Sequence, residues 1–167
     1  SLRRTSHYDY WSDTVRRSIL LDSKADLLIY GMGEHAILEI ADRLNRGQRA
    51  NEIRSVRGTC WRTGKQSELP SVSIDANGKR SSPIFLPSFE QVKQKFAESY
   101  IIQEQNTDAI SAHILIEQID TRFVVQEPPA FPLTTQEFDS LMELPFTRRY
   151  HPMYEAPASN NKDRKSV

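Results

Sequence analysis

The stretch that most constrains the fold is residues 25–47. Its four apolar residues 27–30 form a run that is too short for a helix and is typical of a strand buried on both faces. The glycines of Gly31-Met32-Gly33 allow a tight turn. The apolar residues after this turn recur at helical spacing, at Ile37, Ile40, Ala41 and Leu44. The stretch therefore predicts a central parallel strand, a glycine turn and a helix with one buried stripe, which together make one α/β unit.

Charge and cysteine content exclude several classes of protein. The 167 residues include 22 Lys plus Arg and 22 Asp plus Glu, so no overall charge favours binding to nucleic acid or to an acidic membrane. Cys60 is the single cysteine, which excludes an internal disulfide and a multi-cysteine metal site built from this chain alone. No apolar run approaches the roughly 20 residues that cross a bilayer. We expect a cytoplasmic protein.

The first residues suggest that strands are missing. The sequence begins at Ser1 without an initiator methionine and runs directly into an aromatic cluster. A lone strand–turn–helix unit cannot form a doubly wound sheet, because parallel strands need neighbours and cover on both faces. We therefore expect that further strands of the parent protein precede this chain.

The aromatic cluster near the start is the first candidate site. His7, Asp9 and Trp11 place two titratable groups beside an indole, and Ser12-Asp13 resembles the start of a helix that would run to about Ser23. The three residues are therefore either part of a ligand pocket or the start of a helix held against the sheet.

The middle of the chain alternates strand and helix signals. We predict a strand over 53–62, an exposed hairpin at Asn77-Gly78, and a helix from Ser88 to about Asn106. A second hairpin is predicted over 113–126, with a brief helix after Thr134. Cys60 is either a reactive thiol or an inert small side chain, and no neighbouring residue supplies a dedicated base.

The end of the chain holds the second candidate site. Arg148, Arg149 and His151 lie in a proline-broken aromatic segment, where the arginines either clamp a phosphate or carboxylate or pair with acids. Residues 155–167 are polar and predict a disordered or aberrant tail. The predicted division of the chain is therefore 1–62, 63–154 and this tail.

The glycine turn is the third candidate site. Gly31, Gly33 and Glu34 precede a helix, whose first N–H groups bind anions in many proteins. The third glycine of a dinucleotide fingerprint is absent, and Glu34 would repel an anion. A binding site and a plain tight turn both remain open. None of the four histidines has a partner at metal-binding helical spacing, so we predict no metal site.

Several segments resemble the YgiQ-type radical SAM family of iron–sulfur proteins. They are S-L-R-R-T-S-H-Y-D-Y-W-S-D at 1–13, D-S-K-A-D-L-L-I-Y-G-M-G-E at 22–34, R-G-T at 57–59, L-P-S-F-E-Q-V at 86–92, E-P-P-A-F-P-L-T at 127–134 and L-P-F-T-R-R-Y-H-P-M-Y at 144–154. Together they extend over nearly the whole chain to Tyr154.

The resemblance implies a position within a longer protein. Family members have an N-terminal domain that resembles a Rossmann-like cobalamin-binding domain, followed by a barrel whose three-cysteine motif holds a [4Fe–4S] cluster. The resemblance thus implies a partial Rossmann-like parallel sheet over 1–62, as its C-terminal part, and a connecting hairpin-and-helix lobe over 63–154. The cluster cysteines are absent here, so this chain alone is expected to bind neither the cluster nor SAM.

Two hypotheses follow from these observations. In the first, the chain is a fragment of the N-terminal accessory domain, and the barrel of the same parent binds the cluster and cleaves SAM to a 5′-deoxyadenosyl radical. In the second, it is a ligand- or protein-binding α/β module without radical chemistry that uses the Gly31 turn and the Arg148 region. Cobalamin binding is disfavoured, because the loop D-x-H-x-x-G does not occur.

Overall fold

The computed structural model describes residues 3–147 and residue 149. Its strands are β1 (His7–Asp9), β2 (Thr14–Arg16), β3 (Leu27–Ile29), β4 (Thr59–Thr63), β5 (Ser73–Ile74), β6 (Arg80–Ser81), β7 (Ile84–Phe85), β8 (Leu115–Ile119) and β9 (Arg122–Gln126). Its α-helices are α1 (Ile19–Asp22), α2 (Glu34–Asn45), α3 (Phe89–Glu104) and α4 (Thr135–Met142). Short 3₁₀ turns occupy Ala50–Glu52 and Gln66–Glu68.

The chain divides into two compact units, residues 1–132 and 133–167. The first contains a five-stranded sheet in the order β3-β4-β9-β8-β7 and two separate hairpins, β1-β2 and β5-β6. The second contains α4, whose start is fixed by a capping box between Thr134 and Glu137. Phe138 and Met142 of this helix are exposed. The predicted domain boundaries stay predictions.

The five-stranded sheet is mixed. β7 and β8 are parallel, whereas β3-β4, β4-β9 and β9-β8 are antiparallel. Successive side chains of each strand point to opposite faces of the sheet, and hydrophobic clusters cover both faces. One hydrophobic cluster contains Leu20, Leu21, Tyr30, Cys60, Ile119 and Val124. A second contains Trp61, Ile116 and Val125, and a third contains Ala36, Ile53 and Val56. The α/β class is confirmed, but the strand pairs within residues 1–62 are antiparallel, and the Rossmann-like parallel sheet expected there is not confirmed.

The predicted place of β3 is wrong. Leu28 pairs with Cys60 in an antiparallel register, and β3 is the edge strand of the sheet rather than a central parallel one. The cause lies in residues 46–58, which carry the chain from the end of α2 back to the carboxyl end of β3. There the Tyr30 N–H donates to the Gly58 carbonyl oxygen at 2.8 Å, and β4 enters the sheet from that end.

The predicted helix from Ser12 to Ser23 is also wrong. The chain forms the hairpin β1-β2 and then the four-residue α1, capped by Ser18. The Asp9 carboxylate accepts hydrogen bonds from the Trp11 N–H and the Ser12 hydroxyl, and these local bonds compete with helix formation. Asp13 completes the turn with φ of 49°.

Local sequence signals elsewhere are confirmed. Ser88 and Gln91 form the capping box of α3, and Asn77-Gly78 lies in the turn between β5 and β6. The hairpin of β8 and β9 turns at Asp120, whose φ is 53°. In the described part of the chain, none of the helices is both long and apolar enough to cross a bilayer.

Candidate functional site

The hairpin β1-β2 is organised by the Asp9 carboxylate. Asp9 accepts hydrogen bonds from the Trp11 N–H at 3.2 Å, the Ser12 hydroxyl at 2.7 Å and Arg16 Nε at 2.6 Å. These contacts, the Ser12 hydroxyl first, lower the pKa of Asp9 below its ordinary value. A carboxylate with three donors is charged at neutral pH and acts as the fixed centre of the turn.

The tip of this hairpin presents two aromatic side chains to solvent. Trp11 is 91% exposed and Tyr10 is 78% exposed, and their rings meet edge to face with centroids 5.8 Å apart. Below them the Tyr8 hydroxyl donates to Asp13 at 2.6 Å, and the Tyr8 ring meets Phe96 of α3 edge to face. The hairpin is therefore anchored at its base while its tip offers free aromatic surface, which is enriched at protein interfaces.

His7 and Asp9 line the same small cleft. The other lining residues are Arg3, Arg16, Ile19 and Asp22, and the cleft has a volume of about 160 Å³. His7 Nδ1 lies 3.2 Å from the Thr5 carbonyl oxygen, so Nδ1 is the nitrogen positioned to carry a proton. Pockets for drug-sized ligands have volumes of about 300–1,000 Å³. This cleft has room for a small ion or a few waters, and its use as a binding site stays a prediction.

The glycine turn has a structural explanation. Gly31 has φ of +68°, and a side chain on Gly33 would place its Cβ 3.0 Å from Ile29 Cγ2. Gly33 caps α2 without a side-chain hydrogen bond, and Glu34 lies in the first turn of that helix. Glu34 Oε2 is buried and has no hydrogen-bond partner in the described residues. A pocket role for the three residues stays a prediction.

The arginine segment at the end of the chain is only partly described. Arg149 is exposed, whereas Arg148 and His151 lie outside the described residues. The anion-clamp hypothesis for this segment therefore stays a prediction.

A larger groove was missed by sequence reasoning. It has a volume of about 840 Å³ and is lined by Asp26, Asn51, Glu52, Arg54, Arg62, Thr63, Gly64, Lys65, Glu68 and Arg122. Part of its charge is internally paired: Lys65 Nζ lies 3.1 Å from Glu68 Oε1, and Arg62 Nη2 lies 3.9 Å from Asp26 Oδ1. These charges come from distant parts of the sequence and meet only through the β3-β4-β9 pairing, so no local motif marks them.

The R-G-T segment at 57–59 and the E-P-P segment at 127–129 pack against each other. Gly58, with φ of +74°, donates its N–H to the Pro128 carbonyl oxygen at 2.7 Å, and a Cβ at this position would lie 3.1 Å from Ala130 Cβ. The Tyr30 hydroxyl donates to the Glu127 carbonyl oxygen, and the Arg4 guanidinium stacks on the Tyr30 ring at 4.4 Å. Four of the segments quoted above thus meet in one buried network.

Cys60 does not fit an iron–sulfur ligand. Its side chain is fully buried in the middle of the sheet, and burial raises the pKa of the thiol to about 12. A [4Fe–4S] cluster requires several cysteine thiolates, and this chain has a single, protonated thiol. No group of three or more His, Cys, Asp or Glu side chains in the described residues is arranged to hold a metal ion. The residues present therefore do not form the cluster site of a radical SAM enzyme.

Comparison with known proteins places these features in a family. The family model described as Radical SAM N-terminal matches residues 1–162. A UPF0313 protein of Clostridium botulinum strain ATCC 19397 is 45% identical over 159 residues, which is 93% of this chain and 23% of that relative. A UPF0313 protein of Thermotoga neapolitana is 45% identical over 157 residues, with 92% of this chain and 25% of the relative covered.

No solved structure matches this chain significantly. The chain spans about a quarter of the length of the curated relatives it matches. With a match that extends from residue 1 to residue 162, the chain belongs to the Radical SAM N-terminal family.

Proposed function

We propose that this chain is a fragment of the N-terminal accessory domain of a cytoplasmic radical SAM iron–sulfur enzyme of the YgiQ type. The observation that carries the proposal is the family match over residues 1–162, together with relatives about four times as long. In this proposal the [4Fe–4S] cluster and SAM bind to a barrel elsewhere in the parent polypeptide. That barrel is the partner of this domain.

The single buried thiol supports the proposal that the cluster binds to another part of the parent polypeptide. A chain with one fully buried cysteine cannot supply the ligands of a cluster, so the chemistry belongs to other residues of the parent. The proposed task of this domain is to shape or cover the substrate end of the barrel. Its own residues then act by binding, positioning and excluding water, and no reaction step passes through them.

The aromatic tip of the β1-β2 hairpin is the surface best suited to that task. Asp9 holds the turn in one conformation before any partner binds, which reduces the entropy lost on association. Tyr10 and Trp11 then offer aromatic contact area at low entropic cost. We propose that this tip contacts either the barrel or the substrate that enters it.

Anaerobic reconstitution with iron and sulfide tests the proposal. Three proteins are compared: this chain, the full-length Clostridium botulinum relative, and a chimera in which this chain replaces the matching 159 residues of that relative. We expect a stoichiometric cluster absorbance from the relative and the chimera and none from the chain alone. A Cys60→Ser chimera is the matched control. It is expected to keep its cluster, because the fully buried thiol of Cys60 is not a cluster ligand in this proposal.

Two outcomes would contradict the proposal. One is a stoichiometric cluster on the chain alone. The other is a folded chimera without a cluster, prepared beside a relative that contains one.

The second hypothesis is a ligand- or protein-binding module without radical chemistry that uses the Gly31 turn and the Arg148 region, and the cleft that contains His7 and Asp9 is a further candidate pocket for it. That module would bind a small ligand in isolation, with loss of binding in a His7→Ala variant, and neither the relative nor the chimera would assemble a cluster.

A further inference from the structure

The outer edge of β3 has no strand beside it in the described part of the chain. The Thr59 carbonyl oxygen accepts the Glu127 N–H at 2.9 Å, so Thr59 directs its backbone groups toward β9. Since these directions alternate along a strand, Cys60 directs its groups toward β3 and bonds with Leu28, its partner in the register. The N–H and C=O groups of Leu27 and Ile29 therefore face outward.

The side chains of β3 are less buried than those of its neighbour. Leu27, Leu28 and Ile29 are each only half-buried, whereas Cys60 and Trp61 in β4 are buried. Three consecutive apolar residues are typical of a strand covered on both faces and flanked on both sides. Native proteins usually protect such an edge with charges, a proline or a bulge, and β3 has none of these within its three residues.

The exposed face of α2 continues this apolar edge. The helix packs on the sheet through Ala36 and Ile40, while Ile37 is 57% exposed and Leu38 is 69% exposed. A Cβ placed on Gly33 would lie 3.0 Å from Ile29 Cγ2 and 3.8 Å from Ile37 Cδ1, so these two isoleucines lie side by side. The predicted buried stripe of α2 is thus partly exposed, and it borders the open strand.

We propose that this edge accepts a further β-strand from the part of the parent polypeptide outside this chain. The strand would pair with the outward backbone groups of Leu27 and Ile29, and its neighbouring residues would cover Ile37 and Leu38. The inference rests on the proposed function, which places this chain within a longer protein. It adds the location and the chemistry of one contact, namely an extended apolar segment that completes the sheet.

The size of the surface favours a segment of the same polypeptide over a separate protein. Stable interfaces between independent proteins bury about 800 Å² on each partner, whereas β3 offers three residues. A covalently connected segment has an effective concentration in the millimolar range and needs far less intrinsic affinity. About three quarters of each relative lies outside the matched region, which leaves ample chain to supply such a strand.

Hydrogen exchange on the free chain and on the full-length chimera tests this inference. The Leu27 and Ile29 amides face outward and should exchange rapidly in the free chain, whereas the Leu28 amide should be protected in both proteins. In the chimera we expect the exchange of Leu27 and Ile29 to slow by about tenfold or more. Equal, fast exchange of both amides in the two proteins would overturn the inference.

A charge on α2, beside the edge strand β3, provides the matched variant. Ile37→Lys should remove the protection of Leu27 and Ile29 in the chimera, because it places a charge on the exposed helix surface beside Ile29 that the added apolar strand would have to cover. In the free chain it should leave the melting temperature unchanged. Ile101→Lys is the control, since Ile101 is a helical isoleucine of similar exposure, 50%, and should leave the protection intact. Protection that persists in the Ile37→Lys chimera would contradict the proposed strand.

The outcomes for the edge and for the proposed function are separable. A chimera with a cluster but an unprotected edge would refute the strand and leave the accessory-domain proposal intact. A chimera with a protected edge and no cluster would refute the accessory-domain proposal alone. Protection in the free chain that grows with concentration would identify a second copy as the occupant and would overturn the intrachain assignment.

Discussion

Glu117 in β8 and Glu127, the residue directly after β9, are both buried carboxyls, yet their surroundings differ. Glu127 Oε1 accepts hydrogen bonds from Trp61 Nε1 at 2.8 Å and from the Ser55 N–H at 3.2 Å. Burial raises the pKa of Glu127, and these donors, together with the Arg57 and Arg54 guanidinium groups, oppose that rise. Burial still leaves the pKa of Glu127 above its ordinary value, but its carboxylate has two hydrogen-bond donors and two cations to stabilise it.

Glu117 has much less support. Its Oε2 accepts one hydrogen bond, from the Ser6 N–H at 2.8 Å, and its Oε1 has no partner in the described residues. Burial raises the pKa of Glu117 to about 7; the Ser6 contacts oppose this rise and the Glu90 carboxylate adds to it. The difference teaches that burial alone does not decide the role of a carboxyl. Glu127 joins the R-G-T and E-P-P segments. Glu117 instead accepts the Ser6 N–H of the N-terminal segment, and its burial lowers the free energy of unfolding more as the pH rises.

Removal of the better supported carboxyl should have the largest effect. Glu127→Ala leaves Trp61 Nε1 and the Ser55 N–H without an acceptor and removes a charge that faces two arginines. We expect a loss of about 4 kcal/mol in the free energy of unfolding, measured by urea denaturation. Glu68→Ala, which removes an exposed partner of Arg54, is the control and should cost less than about 1 kcal/mol. Similar losses in the two variants would refute the structural role of Glu127.

The pH dependence of stability should report on Glu117. Its pKa is about 7 in the folded chain, against an ordinary value of 4.5, so the unfolded state ionises first as the pH rises. The contribution of Glu117 to stability is therefore fully present below pH 4.5 and is lost as the pH rises to 7. At about 1.4 kcal/mol per pH unit, the loss is roughly 3 kcal/mol.

Glu117→Gln isolates this contribution. The amide oxygen can still accept the Ser6 N–H but cannot ionise, so the stability of the variant relative to wild type should rise between pH 5 and pH 8. Urea denaturation at several pH values measures the difference. Glu104→Gln, on the exposed surface of α3, should keep the wild-type slope. A Glu117→Gln variant with that same slope would contradict the assignment.

Glu127→Gln should have a smaller effect than either. The amide oxygen retains the acceptor for Trp61 and Ser55, and only the attraction to Arg54 and Arg57 is lost. We expect a loss of about 1–2 kcal/mol in urea denaturation. A loss equal to that of Glu127→Ala would show that the charge, rather than the hydrogen bonds, stabilises this site.

The smallest effect is expected at the hairpin tip. Trp11→Ala removes a side chain that is almost wholly in water, so the free energy of unfolding should change by less than about 0.5 kcal/mol. In the chimera the same variant should weaken the proposed contact of the tip with the barrel or the substrate. Hydrogen exchange of residues 7–16 should then be faster than in the unmodified chimera. A large loss of stability in the isolated chain would place Trp11 among the structural residues instead.

Elements with a local cause could be predicted from the sequence. The capping boxes at Ser88 and Thr134 and the Asn77-Gly78 turn each act within a few residues. The position of β3 could not be predicted, because the path of residues 46–58 decides it. The β1-β2 hairpin was missed because one side chain, Asp9, overrides the apolar periodicity that favoured a helix.

Residues of the candidate sites also differ in whether they are close in sequence or are brought together by strand pairing. His7 and Asp9 are close in sequence and share a cleft through the strand they occupy. The groove around Arg54 and Arg122 is assembled by pairing between strands far apart in the chain, so spacing gives no sign of it. Glu117 and Glu127 look alike in sequence, and only their packing separates them.

The two tryptophans give the chain a built-in optical contrast. Trp61 lies in the core, with its indole N–H bonded to Glu127 and its ring stacked by Arg54, while Trp11 lies in water. A polar quencher such as acrylamide should reach Trp11 freely and Trp61 hardly at all. When the hairpin tip meets a partner, the quenchable part of the emission should therefore disappear while the core signal stays constant, so docking and unfolding can be followed separately without any label.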